Sequence, residues 1–304
     1  MELSDLTALL ARQRYKMVGS HSAVKLCHWT KKSIMDKGFC YKQQFYGIAS
    51  HRCLQMTPSL AWCTHKCVFC WRMTEYTLGT AIERFDDPDF IADESIRQHR
   101  VLISGFGGIP ERINNKKMKE ALNPNQAAIS LVGEPMIYPA INGLLKAFHN
   151  RGFTTFVVSN GTFPERIASL KEMPTQLYVS LDAPDEKTYK KIDNPLIKDG
   201  WQRISQTLGL MRNIGTKTAI RLTLVRDWNM HGIDGYADLI RKAEPDFVEV
   251  KAYMFVGGSR RRLSMGNMPS HEDVRGFSEQ LAGALGYKVK DEKKDSRVVL
   301  LAKK

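Results

Sequence analysis

All six cysteines lie between Cys27 and Cys70. Three of them, in Cys63-Thr64-His65-Lys66-Cys67-Val68-Phe69-Cys70, make a C-x3-C-x2-C loop. Three thiolates in so short a loop can face one metal centre. A structural zinc site closes four ligands, and no further thiol or histidine stands at a finger-like spacing, although His65 inside the loop offers itself. Three thiolates on a [4Fe–4S] cluster leave one iron open to a substrate, and thiolates are the usual cluster ligands. Inert thiols are the bland reading. Phe69, an aromatic before the last cysteine, suits packing beside a planar base. Cys27, Cys40 and Cys53 are spaced C-x12-C-x12-C. That is no generic ligand motif, and buried inert thiols explain it as well as a second cluster does. Cysteines crowded into the first quarter of a chain, not spread as in a disulfide scaffold, point to metal ligation.

Strands and helices must position these groups. β-branched or aromatic runs bounded by Gly, Pro, Asn or Asp predict strands over 48–56, 127–132, 154–159, 176–181, 218–225 and 246–252. Helical patterns over 137–150, 164–171, 185–191, 201–213 and 236–243 alternate with them. Strand alternating with helix means βαβ units and a parallel sheet, an α/β fold with its ligand at the carboxyl ends of the strands. Polar residues gather at those ends: Gly133-Glu134, Ser159-Asn160-Gly161 and Ser180-Leu181-Asp182. A helix over 3–17 is expected before the first strand. A polar helix over 270–285 and a strand over 297–301 are expected at the end. Residues 71–126 exceed one βα unit and carry a hinge-like turn at 105–110, which reads as an insertion over the mouth of the site.

The 304 residues are 43 % hydrophobic and 25 % charged, ordinary globular usage that excludes disordered and collagen-like chains. No stretch reaches the roughly 18 apolar residues that cross a bilayer. The first five residues carry acids where a signal peptide would be positive. A soluble, cytoplasmic, monomeric protein is expected. The formal charge is +13, and residues 1–75 hold 11 Lys/Arg against four acids. Such an excess suits a polyanion. Arg72, Arg260, Arg261 and Arg262 are candidate phosphate contacts, with Trp71 and Tyr253 as candidate stacking surfaces for a base.

The cysteine loop after a strand, followed by the polar strand ends in order, resembles the radical S-adenosylmethionine (SAM) superfamily. The resemblance implies a partial (β/α)6 radical SAM barrel over 46–260, with an N-terminal basic extension over 1–45 and C-terminal additions over 261–304. It implies a [4Fe–4S] cluster on Cys63, Cys67 and Cys70, whose open iron chelates SAM, and a 5′-deoxyadenosyl radical made by reductive cleavage. Phe69, Gly133, Glu134, Ser159, Asn160, Ser180 and Asp182 would then line the SAM site.

A narrower likeness follows. Cys63 to Arg72 as CTHKCVFCWR, Ser130 to Pro135, Tyr178 to Ala183 and Glu249 to Met254 are similar to the tRNA 4-demethylwyosine synthase family, in its short archaeal form. That family implies a second [4Fe–4S] cluster, mapping onto Cys27, Cys40 and Cys53, and a lysine that engages pyruvate, mapping onto Lys42. It implies N1-methylguanosine beside the anticodon of tRNA-Phe as substrate. A methyl hydrogen is removed, the methylene radical adds to the carbonyl carbon of pyruvate, one carbon is lost, and ring closure gives a tricyclic base. Electrons would come from a separate donor. Arg226-Asp227 replaces the Lys-Gly pair often found after the fifth strand. A glycyl-radical activating enzyme and a zinc-stabilised RNA-binding module are the competing classes.

Overall fold

The structure is a computed structural model that describes residues 9–303. It divides into two compact units, each assembled from separate stretches of chain. The sequence-based division at 45 and 260 follows the chain order, whereas these units do not.

The first unit has described residues over 9–62, 81–157 and 171–175. Strands β1 (Lys16–Val18) and β2 (Ser22–Val24) form an antiparallel hairpin, and β2 pairs antiparallel with β3 (Cys53–Thr57). Strands β3, β4 (Gln126–Ile129) and β5 (Thr154–Ser159) run parallel. Gly19 turns the hairpin at φ +59, and a Cβ there would lie 2.2 Å from Asp86 Oδ2. The same carboxylate accepts from Ser20 N at 2.7 Å, so the turn is closed by a distant acid.

The helices of this unit include α1 (His28–Ile34), α2 (Tyr41–Tyr46), α3 (Pro88–Ser104) and α4 (Asn115–Ala121). Another, α5 (Ile141–Asn150), follows β4. Asp87 starts α3 by accepting from the amides of Asp89 and Phe90, with Pro88 at the first helical position. Ile91, Ala92, Ser95, His99 and Ile103 are buried, spaced along one face of α3 that packs on β1, β2, β3 and α5. This corrects one expectation: the segment read as an insertion contains the crossover that carries the chain from β3 to β4.

Two boundaries also differ from the sequence reading. Of the helix expected over 3–17, residues 1–8 lie outside the described residues; residues 9–12 are helical, Arg14 takes φ +62, and β1 begins at Lys16. The strand expected from residue 48 starts only at Cys53. Gly47 ends α2 at φ +75, and Ser50–Arg52 is a 3₁₀ turn.

The second unit comprises 63–80, 158–170 and 176–303 of the described residues. Strands β6 (Gln176–Ser180), β7 (Lys217–Leu224) and β8 (Phe247–Ala252) run parallel. After them, β9 (Tyr287–Lys293) pairs with β10 (Val298–Lys303), and β10 lies antiparallel on β8. The helices are α6 (Pro164–Ala168), α7 (Glu186–Asp193), α8 (Gly200–Met211), α9 (Ile233–Ala243) and α10 (His271–Leu285). Val179, Ile220, Leu222, Val248 and Val250 form one core with Leu208, Ile240 and Leu281 from these helices. Side chains alternate along a strand, so the opposite face carries Ser180, Arg221, Thr223, Glu249 and Lys251. Arg221 and the fully buried Glu249 pair at 2.9 Å, and the guanidinium lies 4.8 Å from the Tyr178 ring centroid. Three of the six expected parallel strands thus fall in each unit. Among the described residues no helix is long and apolar enough to cross a membrane.

Burial of His99 on α3 has a measurable consequence. Its Nε2 donates to Ala121 O at 3.0 Å, Nδ1 has no partner, and burial pulls its pKa down to about 4. The unfolded imidazole titrates near 6.5, so between the two values the unfolded state binds the extra proton. Stability should fall as pH drops from about 6.5 to about 4, by roughly 3 kcal/mol from this group. Urea titrations across that range check it, and His99→Gln should lose this part of the slope.

Candidate functional site

The C-x3-C-x2-C loop has little regular structure of its own, and bonds from the rest of its unit hold it. Val68 N donates to Ile192 O at 2.9 Å, and Lys66 N donates to the carbonyls of Asp193 and Asn194. Leu196 N donates to Thr64 O at 2.8 Å, so the end of α7 and the residues after it hold one side of the loop. The opposite grip is Arg262. Its guanidinium donates to the carbonyls of Val68 (3.1 Å), Cys70 and Arg72 (3.2 Å), and pairs with Glu75. Nearby, a Cβ on Gly257 would stand 2.3 Å from Trp71 O, and one on Gly258 2.5 Å from Arg72 O. Only glycines admit that close backbone approach.

Strand-end residues close on the same loop. Asn160 Nδ2 donates to Thr64 Oγ1 at 2.8 Å and approaches Cys63 Sγ at 3.9 Å. Thr162 Oγ1 donates to Asn160 Oδ1 at 2.7 Å, so its contact with Thr64 at 2.8 Å must be donated by Thr64. The three side chains form a closed ring. Ser159 Oγ accepts from Gly161 N, and the Cys63 sulfur accepts from His65 N at 3.5 Å. Asp182 accepts from Thr223 N at 2.8 Å, and burial lifts its carboxyl to about 7. Ser180 ends β6 on the polar face, half-buried. Phe69 packs partly buried against the hydrophobic core of its unit.

Burial pushes the Cys67 thiol up, and Asp193, Cys70 and Cys63 push it further. Ionised, these sulfurs would be stabilised by a positive centre among them. The donor set therefore fits a thiolate-bound iron–sulfur cluster. Arg72 fits an anionic group in the same place: it is 8 % exposed, and its Nε and Nη1 have no partner. A buried donor left unmet costs about 1–3 kcal/mol, and more when charged. His65, offered by the sequence as a zinc ligand, is committed elsewhere. Its Nε2 meets Tyr189 OH at 2.8 Å, and burial drops its pKa to about 3. His65, Cys67 and Asp193 bring ligand atoms within 4.8 Å of one another. Asp193, Tyr189, Thr64 and Thr162 were not singled out by sequence, because nothing in their local pattern marks them.

The first unit holds the remaining candidates. Gly133 has φ +72, and a Cβ there would fall 1.9 Å from Ser59 O. Glu134 is buried, its amide donates to Trp62 O, and its carboxylate accepts from Met136 N at 3.0 Å. Cys27 and Cys40 cap the starts of α1 and α2, and Cys53 opens β3. Burial raises the Cys53 thiol, Cys27 and Cys40 raise it further, and Lys42 opposes them. Cys27, Cys40 and Lys42 thus all bear electrostatically on Cys53. Lys42 is 7 % exposed, its Nζ 4.8 Å from the Phe156 ring centroid. It is no solvated surface lysine. Lys25, missed by sequence, is depressed to about 8 by burial and then by Lys31.

The polyanion-binding set divides. Arg260 and Arg261 are exposed, and Arg260 stacks on Phe255. Trp71 is half-buried. Tyr253 is 1 % exposed and donates to Ser259 Oγ at 2.9 Å, which removes it as an open stacking surface. Arg262 is spent on loop carbonyls, and Arg72 is buried; neither is the surface contact expected. If Arg262 holds the loop, Arg262→Gln should lose reconstituted iron to a chelator several-fold faster than wild type. The exposed Arg260→Gln should match wild type. Absorbance decay under a ferrous chelator measures both.

Comparison with known proteins supplies the family. The radical SAM superfamily sequence model matches residues 57–240, and the wyosine base formation model matches 242–303. The chain is 56 % identical over 302 residues to the SAM-dependent tRNA 4-demethylwyosine synthase of Pyrococcus horikoshii, covering 98 % of this chain and 88 % of that protein. A solved structure of TYW1 with a lysine–pyruvate adduct bound superposes with TM-score 0.90 at 40 % identity, covering 99 % and 96 %. A radical SAM methyltransferase from Sphaerobacter thermophilus shares the fold alone (TM-score 0.54, 15 % identity, 93 % and 80 %). Radical SAM membership implies SAM and a [4Fe–4S] cluster, and sets aside the zinc module and the glycyl-radical activating enzyme. With a cysteine loop built for such a cluster and this identity along nearly its whole length, the chain belongs to the tRNA 4-demethylwyosine synthase family of radical SAM enzymes.

Proposed function

We propose that this enzyme converts N1-methylguanosine beside the anticodon of tRNA-Phe, with pyruvate, into the tricyclic base 4-demethylwyosine. The observation that carries the reading is Lys42, a buried lysine whose charge bears on Cys53, as Cys27 and Cys40 do. A relative of the same fold holds a lysine–pyruvate adduct. In our reading Cys27, Cys40 and Cys53 hold a second [4Fe–4S] cluster, and Cys63, Cys67 and Cys70 hold the cluster that binds SAM. With SAM bound and an electron delivered, that cluster supplies a 5′-deoxyadenosyl radical.

The chain's own residues do the rest of the positioning. Lys42 Nζ attacks the ketone carbon of pyruvate, water leaves, and the imine fixes that carbon for carbon–carbon bond formation. Phe156 lies under the Nζ and keeps water from that side. Gly133, Glu134, Ser159, Asn160, Ser180 and Asp182 orient SAM, with Phe69 beside the adenine. For most of them this is an indirect role: Asn160 shapes the cysteine loop, and Glu134 fixes the turn after β4 by its bond to Met136 N.

The target base must leave the anticodon stack to reach such a site. Arg260, Arg261 and exposed basic residues of the first 75 such as Arg12, Arg14, Lys16 and Lys37 are the phosphate contacts, with Trp71 as the stacking candidate.

Anaerobic incubation with SAM, dithionite, pyruvate and N1-methylated tRNA-Phe, followed by nucleoside mass spectrometry, tests the reading. Wild type should yield the tricyclic base. Lys42→Arg keeps the charge but forms no productive imine. It should retain iron and cleave SAM, yet give little product and trap no pyruvate with borohydride. Full product from Lys42→Arg would return the residue to a packing role.

Affinity for tRNA should fall with salt at a log–log slope of roughly −0.7 to −0.9 per phosphate contact. Filter binding from low to physiological salt measures the slope. A flat line would mean that the +13 charge is not the tRNA footprint.

A further inference from the structure

Arg72 is the one residue of the cysteine-loop region whose charge the fold buries without an answering group. Its Nε and Nη1 meet no acceptor, and only 8 % of the residue is exposed. Nε carries one proton and Nη1 two, all of them donors, and a guanidinium stays charged at any ordinary pH. The backbone that presents it is fixed from three directions. Gly258 N donates to Trp71 O at 2.8 Å, Arg262 donates to Arg72 O at 3.2 Å, and Gly257 and Gly258 leave no room for a Cβ against the Trp71 and Arg72 carbonyls. A buried cation on an immobile backbone, with its planar fork unfilled, is prearranged for an anion.

Depth narrows the choice. A phosphodiester of a folded RNA is attached to bulky neighbours and meets exposed cations such as Arg260 and Arg261. A small carboxylate can follow a side chain below the surface and matches the guanidinium in shape. Arg72 also lies two residues past Cys70, within about 7 Å of chain from a presumed cluster ligand.

We propose that Arg72 is the anchor for a small carboxylate at the Cys63, Cys67 and Cys70 site. This rests on the function proposed above, which brings such a group to that site: the methionyl carboxylate of SAM.

The test compares reconstituted wild type, Arg72→Gln and Arg72→Lys. Iron and sulfide are measured first, then SAM affinity by equilibrium dialysis, then pyruvate capture by borohydride trapping across a pyruvate titration. If the SAM carboxylate is the ligand, both variants bind SAM about tenfold or more weakly, while the concentration of pyruvate that half-saturates trapping is unchanged. Decarboxylated SAM should then bind all three proteins alike. A rise in the half-saturating pyruvate concentration with SAM affinity unchanged overturns the proposal. Lysine keeps the charge but not the fork, so it should rescue little. Unchanged affinity for both ligands overturns the proposal. Loss of iron from both variants also overturns it, because Arg72 would then serve the cluster itself. Failure of the wild type to bind SAM or trap pyruvate would instead sink the proposed function, since Arg72 is intact there.

Discussion

An irregular eight-residue loop that carries three half-buried cysteines must be held by the rest of its unit, and the site depends on that constraint. Left alone, an eight-residue loop has no reason to keep one shape. Here its shape is imposed from outside. Main-chain bonds run to the end of α7, a side-chain ring of Thr64, Asn160 and Thr162 fixes one end, and Arg262 gathers three carbonyls at the other. A positive metal centre would favour the ionised form of Cys67, which burial disfavours. The loop is therefore suited to a thiolate-bound cluster.

Arg262 joins two parts of the chain that match different family models. It lies in the stretch matched by the wyosine base formation model, and it grips a loop matched by the general radical SAM model. Gly257 and Gly258, in the same stretch, lie against Trp71 and Arg72. Inside its own unit, the family-specific segment thus sets the geometry of the general machinery. The same segment contributes the β9–β10 pair that extends the sheet beyond β8.

The first unit places its cysteines differently. They are spread over 27 residues, and each stands at a junction: two before short helices, one at the start of β3. The charges of Cys27 and Cys40 both bear on the Cys53 thiol. Lys42 follows Cys40 by two residues and is carried into the same neighbourhood by the first turn of α2. Its burial against Phe156 removes it from solvent, which a spacing argument alone could not establish.

Sequence alone determined the alternation of parallel strands and helices, because β-branched runs and amphipathic periods are local properties. It also supplied the cysteine loop and the polar strand ends, since ligand spacing within eight residues is itself a geometric statement. What it missed depended on partners distant in the chain. The three-residue strands β1 and β2 are too short for periodicity. The crossover helix α3 looked like an insertion because its apolar face is recognisable only against the strands it covers. Arg72, Arg262 and Tyr253 read as surface residues, since charge and aromaticity predict exposure until packing decides otherwise. Burial and the satisfaction of each buried donor are sums over the whole fold, and only tertiary structure could decide them.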